Sequence, residues 1–170
     1  MSQLDNIFLA YDVRGRVGVD LTTEVANSIG RALGDWLPEA GAVAVGHDMR
    51  PDSADLANSL INGLWQQVRD VIDFGQVTSD MIYFAVGSLD LAGGAMITAS
   101  HNPGEYNGIK FCREEAKPIG IESGLLDIKK ACEEHSYKTV ESEGKLETKD
   151  VTEAWITPVS YTHLRAHETV

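Results

Sequence analysis

From about residue 20 to residue 112, apolar positions follow two rhythms, one of amphipathic helices and one of short buried strands. Val25, Ile29, Leu33 and Trp36 recur at helical spacing behind Thr22 and Thr23, either of which can cap a helix. Glu24 in the first turn suits the positive end of the helix dipole, and Pro38 and Gly41 end the segment. Ala42-Val43-Ala44-Val45 reads as a buried strand stopping at Gly46. Asp52 or Ser53 then starts a second helix carrying Leu56, Leu60, Leu64 and Val68, and Val71-Ile72-Asp73-Phe74 follows as a strand. A third helical segment over about residues 80–89 holds Ile82, Tyr83, Val86 and Leu89. Residues 94–98 and 108–112 read as two more strands joined through a turn. This alternation predicts a layered α/β domain with a largely parallel sheet and right-handed crossovers.

The pattern weakens beyond Cys112. Residues 124–134 read as a helix with Leu125, Ile128 and Ala131 on one face. Residues 136–149 are charged and poor in apolar side chains, which predicts a surface segment or a hairpin leading out of the domain. The last residues, Val159-Ser160-Tyr161-Thr162-His163-Leu164-Arg165-Ala166-His167-Glu168-Thr169, resemble the conceptual translation of a sequencing adapter and are kept out of the fold reasoning. On that reading His163 and His167 are not zinc ligands, although they stand four apart, and native sequence ends near Pro158. The expected organisation is one domain over residues 1–149, the start of a second over 150–158, and non-native sequence over 159–170.

Composition narrows the function classes. The 170 residues are 43% hydrophobic and 24% charged, the profile of an ordinary globular chain rather than a disordered one. A formal charge of −12 argues against broad nucleic-acid binding, which needs basic stripes, but leaves room for a small anionic ligand held by a few placed cations. No apolar run approaches the roughly 20 residues of a membrane span. The polar N-terminus with Asp5 does not read as a signal peptide, and Cys112 and Cys132 read as free thiols in a reducing cytosol, so a cytoplasmic protein is expected.

Three motifs carry candidate chemistry. In Thr98-Ala99-Ser100-His101-Asn102-Pro103 a buried strand delivers Ser100 into a rigid loop, and Asn107-Gly108 can turn the chain so that Lys110 comes back toward it. A serine hydroxyl needs a base or electrostatic help to act as a nucleophile, and His101 and Lys110 are placed to give it. The alternative is a Ser/Asn/Pro/Gly turn with an incidental lysine. In Tyr11-Asp12-Val13-Arg14-Gly15 an arginine before a glycine can present its planar fork to a phosphate, or it can simply pair with Asp12. Gly46-His47-Asp48-Met49-Arg50 follows a strand, where α/β sheets place ligand sites, although Asp48 and Arg50 can equally brace the loop with an ion pair.

In this order the motifs resemble the α-D-phosphohexomutase superfamily, most closely its bacterial phosphomannomutase and phosphomannomutase/phosphoglucomutase members. Thr98 to Pro103 is similar to the family's phosphoserine signature and Asn107-Gly108-Ile109-Lys110 to its continuation. Tyr11 to Gly15, Gly46 to Arg50, Ile82-Tyr83-Phe84-Ala85 and Arg113 to Ile119 match further family segments, over about residues 6–158 in all. Leu9, His47 and Thr78-Ser79 depart from the pattern, standing where a basic residue, an arginine and Thr-Pro are usual.

The resemblance implies a layered α/β/α domain with a mixed, largely parallel sheet, the first of four domains. It implies an enzyme interconverting hexose 6-phosphate and hexose 1-phosphate, mannose or glucose, through a bisphosphorylated hexose. Ser100 would carry the phosphoryl group, Lys110 would be the acid/base or charge stabiliser, His101 would support the loop, Arg14 would meet the transferring phosphate and Tyr11 the substrate. A Mg2+ ion would touch an oxygen of the Ser100 phosphate, with its remaining ligands outside this chain, so the chain by itself is expected not to turn over. A serine phosphohydrolase and a non-catalytic phosphosugar-binding domain are the competing readings.

Overall fold

The computed structural model describes residues 3–38, 40–138 and 142–163, of which 3 and 158–163 are described by backbone alone. Its strands are β1 (Val13–Arg16), β2 (Val43–His47), β3 (Val71–Gln76), β4 (Gly93–Ile97), β5 (Tyr106–Arg113), β6 (Lys117–Pro118) and β7 (Leu146–Thr148). Its helices are α1 (Thr23–Trp36), α2 (Ser53–Trp65), α3 (Ser79–Ser88), α4 (Leu125–Glu134) and α5 (Thr152–His163). The strands form one sheet in the order β1-β5-β4-β2-β3-β7, with β6 on β5. β4, β2, β3 and β7 run parallel, while β5 is antiparallel to β4, β1 and β6. The expected mixed α/β/α architecture is therefore present, with the antiparallel part confined to the β5 side.

Successive strand residues point to opposite faces, and two cores result. Val13, Val43, Val45, Val71, Ile97, Ile109 and Phe111 face α1, α2 and α4 through Ile29, Leu33, Leu60, Leu64 and Ile128. Ala44, Ile72, Phe74, Met96 and Cys112 face the other way, onto Met81, Ile82, Ala85 and Val86 of α3. α1 and α2 cross almost backbone to backbone. A Cβ on Gly30 would lie 2.2 Å from the Leu60 carbonyl oxygen, and one on Gly63 would lie 2.1 Å from that of Asn27.

The helix starts refine the expectations. Thr22 caps α1, its hydroxyl accepting from the Val25 amide at 3.3 Å. Thr78 caps α3 in the same way through Met81, which puts Ser79 at the first helical position. Proline is favoured there because that N–H has no intrahelical partner, so serine in place of proline leaves the helix start intact. Asp52 precedes α2 without a side-chain capping bond, and the Ser53 hydroxyl turns inward instead.

Two elements differ from the sequence reading. Residues 13–15, read only as part of the Tyr11–Gly15 motif and given no strand, lie with Arg16 in the edge strand β1. Residues 136–149, expected as a surface segment or outgoing hairpin, return to the sheet as β7, parallel to β3. Three fully exposed residues with lysines on either side carry almost no hydrophobic signal, so the strand is specified by backbone pairing alone. Val151 is buried in the α3 core and Trp155 packs against it. The α5 backbone continues through His163, while residues 164–170, with His167, lie outside the described residues.

Candidate active site

β2 and β4 end side by side, at His47 and Ile97, and the chain beyond each forms the site. The Asp48 amide donates to the Ile97 carbonyl at 2.9 Å, which ties the two exits together. This is the carboxyl edge of the parallel block, where open α/β sheets leave room for ligands. The β4–β5 loop, residues 98–105, lies here.

Ser100 sits at the loop's exposed tip with φ of +55°, in the left-handed region that a non-glycine residue occupies only when its surroundings hold it there. Its amide donates to Thr98 Oγ1 at 3.0 Å. The Ala99 carbonyl next to it accepts from the Asn102 amide at 3.0 Å and from Asn102 Nδ2 at 2.9 Å. Ser100 Oγ lies 3.1 Å from Nδ1 of His101, which is also exposed. A serine hydroxyl and an imidazole nitrogen are therefore in contact at an open edge, the pairing that base-assisted attack by a serine requires.

Arg14 reaches this loop from β1. Its Nη1 donates to the Ala99 carbonyl at 2.5 Å, while Nε and Nη2 each lie 2.9 Å from Asp12 Oδ2. Of the two sequence alternatives the pairing with Asp12 is present, and Arg14 also stands beside the serine loop through the Ala99 carbonyl. The route is open because residue 108 has no side chain. A Cβ there would lie 2.4 Å from the Val13 carbonyl oxygen, 2.9 Å from that of Thr98 and 3.3 Å from Arg14 Cγ. Two of the five guanidinium N–H groups stay uncommitted and can meet an anion.

Lys110 stands on β5 opposite Met96, two residues beyond Gly108, which is itself opposite Arg14. Residues 14, 108 and 110 thus share the face of the sheet that α3 packs on. The hairpin brings Lys110 back alongside β4, but Asn107 and Gly108, expected to make its turn, lie inside β5 without a positive φ, and the chain reverses before them, over residues 98–105. Tyr11 is placed differently. Its ring packs near Gly120, and it lines a cavity of about 370 Å³ with Pro118, Ile121 and Ser123.

Arg50 has a role the sequence did not reveal. Its Nη1 donates to the carbonyls of Pro103 and Tyr106, both at 2.9 Å. Its Nη2 donates to those of Ser100 at 3.0 Å and Asn102 at 2.7 Å, and Nε faces Asp48 Oδ2 at 3.5 Å. All four Nη donors are spent on carbonyls and Nε lies in ion-pair range of Asp48, so Arg50 braces the serine loop and is turned into the protein rather than toward a ligand. Asp48 is fixed in turn by the Ser53 hydroxyl at 2.6 Å and the Arg50 amide at 3.0 Å. Ser53 accepts from Asn107 Nδ2 at 2.9 Å, and both residues are wholly buried. Burial pushes the Asp48 carboxyl up, but hydrogen bonds from Ser53, Thr98 and the Arg50 amide, with the Arg50 charge, outweigh it and hold the group below its usual range. His47 directs Nδ1 at the Asp48 carbonyl, 2.8 Å away, so its ring is also engaged with the loop.

Among the described residues no three His, Cys, Asp or Glu side chains converge to hold a metal ion. Both cysteines are free and buried, and burial pushes each thiol up to about 12. Neither is a nucleophile near neutral pH.

Comparisons with known proteins agree with this fold. Residues 5–139 match the family model described as phosphoglucomutase/phosphomannomutase, alpha/beta/alpha domain I. A phosphomannomutase of Escherichia coli is 44% identical over 141 residues, which are 83% of this chain and 30% of that protein. One of Klebsiella pneumoniae is also 44% identical over 141 residues, 83% of this chain and 88% of that sequence. The crystal structure of a phosphoglucomutase/phosphomannomutase family protein from Burkholderia thailandensis superposes with a TM-score of 0.82 at 32% identity, covering 92% of this chain and 35% of the other. The chain thus spans about a third of the length of the Escherichia coli and Burkholderia relatives.

Proposed function

The chain belongs to the phosphoglucomutase/phosphomannomutase family through its α/β/α domain I, and from that premise we propose that it is the phosphoserine-bearing domain of a phosphomannomutase. The activity proposed for the full-length enzyme is interconversion of mannose 6-phosphate and mannose 1-phosphate through a bisphosphorylated hexose. Glucose phosphates are the alternative substrate, and the competing class is a serine phosphohydrolase. The observation that carries the reading is the strained, exposed Ser100, with His101 at its hydroxyl and Arg14 on the adjoining carbonyl.

In the forward step a sugar hydroxyl attacks the phosphorus on Ser100. The bond from phosphorus to Ser100 Oγ breaks, a bond to the sugar oxygen forms, Ser100 Oγ takes a proton from the His101 ring, and the sugar proton passes to a base, the role given to Lys110. In the return step Ser100 Oγ gives its proton back to His101 Nδ1 and bonds to the other phosphorus, whose bond to the sugar oxygen breaks, and that oxygen takes the proton held by Lys110. The free N–H groups of Arg14 stabilise charge on the transferring group, because positioning and electrostatics do most of the work in phosphoryl transfer. Tyr11 is assigned to the sugar. A divalent cation such as Mg2+ would neutralise charge on that group. No such site forms among the described residues, and the contribution of this chain would be an oxygen of the Ser100 phosphate. We place the enzyme in the cytoplasm, in keeping with its free thiols.

The test replaces the matching segment of the Escherichia coli relative with residues 5–139 and follows mannose 1-phosphate in a coupled assay. The chimera is expected to turn over, and Ser100→Ala to lower the rate by roughly 10³-fold or more. Intact mass after incubation with glucose 1,6-bisphosphate should show a phosphate adduct that Ser100→Ala removes. Activity that survives Ser100→Ala sinks the proposal, and release of inorganic phosphate without isomer formation favours the phosphohydrolase.

A further inference from the structure

Arg50 is the most heavily committed cation in the described residues, and what it does to the serine loop has a consequence for anion binding. The four carbonyls it gathers belong to Ser100, Asn102, Pro103 and Tyr106. The structure contains no cis peptide bond, so each carbonyl and the N–H of the same peptide point in opposite directions. Pulling the Ser100 and Pro103 carbonyls inward therefore turns the N–H groups of His101 and Gly104 outward. Among the described residues these two amides have no hydrogen-bond partner, in contrast to those of Asn102 and Tyr106, which donate within the loop at 3.0 Å and 3.1 Å. Their residues are exposed, as is Ser100. N–H groups turned outward from one loop can together hold an anion, as backbone amides do in anion-binding concavities.

We propose that Arg50 is a positioning residue that builds a phosphate cradle out of the serine loop, presenting the His101 and Gly104 amides to a phosphoryl group on Ser100. It acts through the backbone and does not touch the phosphate. The guanidinium is needed rather than any cation, because only a planar fork with five donors satisfies four carbonyls and a carboxylate together. A lysine offers three donors from one point and leaves carbonyls of the loop unheld. The inference rests on the reading that Ser100 carries a phosphoryl group, but it can be tested without turnover.

The experiment places phosphoserine at position 100 of the 170-residue chain by genetic-code expansion and follows it by phosphorus and amide NMR against pH. The charged groups on this side are Arg14 with Asp12 from β1, Lys110 from β5, Asp48 beside Arg50, and His101 and Glu105 of the loop. Arg50→Lys changes none of these charges. In the parent chain the His101 and Gly104 amide protons should move downfield as the phosphate ionises, with its midpoint below the ordinary value of about 6. In Arg50→Lys the midpoint should rise by about 0.5–1 pH unit and both amide responses should collapse. Amides that ignore the phosphate titration in the parent chain overturn the proposal, whether or not the variant folds. A folded Arg50→Lys chain with an unchanged midpoint overturns it too. Failure of the mutase reading looks different: the chimera shows no Ser100-dependent transfer while the two amides still follow the phosphate.

Discussion

Ser53→Ala removes a single oxygen, yet that oxygen links β5 to the loop that braces the candidate nucleophile. The hydroxyl donates to Asp48 Oδ1 at 2.6 Å and accepts from Asn107 Nδ2 at 2.9 Å, and both Ser53 and Asn107 are fully buried. Truncation leaves the Asn107 N–H without its acceptor, a loss of about 1–3 kcal/mol, and removes a hydrogen bond to a carboxylate, about 1.5–3 kcal/mol. Asp48 keeps the Arg50 amide and the Arg50 charge, so part of the second loss is recovered. The expected net destabilisation is about 2–4 kcal/mol, or roughly 4–16 °C in Tm for a chain of this size. Its pH dependence has a definite sign. Asp48 is held below its ordinary range, so its bonding stabilises the fold above the unfolded carboxyl value of about 3.9 and is lost as pH falls through the lower folded value. The penalty of Ser53→Ala should accordingly be full at pH 7 and shrink in acid. Urea unfolding followed by tryptophan fluorescence at both pH values measures it, and a double-mutant cycle with Asn107→Ala should show coupling of about 1 kcal/mol. A penalty below about 0.5 kcal/mol at pH 7, within the range of an ordinary surface change, would refute the buried relay. So would a penalty that does not shrink in acid.

The α1–α2 crossing predicts that Gly63→Ala costs about 1–3 kcal/mol in urea unfolding, because its Cβ would meet the Asn27 carbonyl at 2.1 Å. Gly87→Ala is the matched control: nothing lies within 4 Å of its Cβ, so alanine in α3 should stabilise by about 0.4–1 kcal/mol, and equal effects at the two sites would discount the close approach. Cys112 and Cys132, both raised to about 12 by burial, should resist a thiol-disulfide reagent at pH 8 in the native chain and react fully in urea. Rapid labelling of the native protein would contradict their burial.

Elements with strong side-chain periodicity were legible in the sequence, and elements defined by backbone pairing were not. Thr22 capping α1 and the apolar run of β2 follow from local chemistry, and the structure places both close to where the sequence does. β1 and β7 escaped because each has only a few residues and its pairing partner lies far along the chain, so no local pattern marks them. The same distinction governs the site. Ser100, His101 and Lys110 stand within eleven residues and could be read as one unit. The relay from Asn107 through Ser53 and Asp48 to Arg50 spans more than fifty positions. Ser53 looked like a helix-start residue, and only the packing of α2 against β5 turns it into a link. An Asp-x-Arg pair after a strand, with a buried-side serine three positions on, was the available signal, but an ion pair bracing its own loop predicts the same residues.

Arg14 and Arg50 illustrate why residue type alone did not separate ligand from brace. Both grip carbonyls around Ser100, one at Ala99 and the other at Ser100 itself, and both pair with an aspartate two positions earlier. The difference lies in how many donors remain. Arg50 meets four carbonyls and a carboxylate and is saturated, whereas Arg14 meets one carbonyl and one carboxylate oxygen and keeps two N–H groups. The topology produces that asymmetry. Arg50 lies where the loop folds over it, so each of its donors finds a carbonyl. Arg14 comes from the edge strand β1, across the gap at Gly108, and reaches only the near side of the loop. An arginine at a sheet edge with donors to spare can serve a ligand, and one enclosed by its own loop can only shape the loop that does.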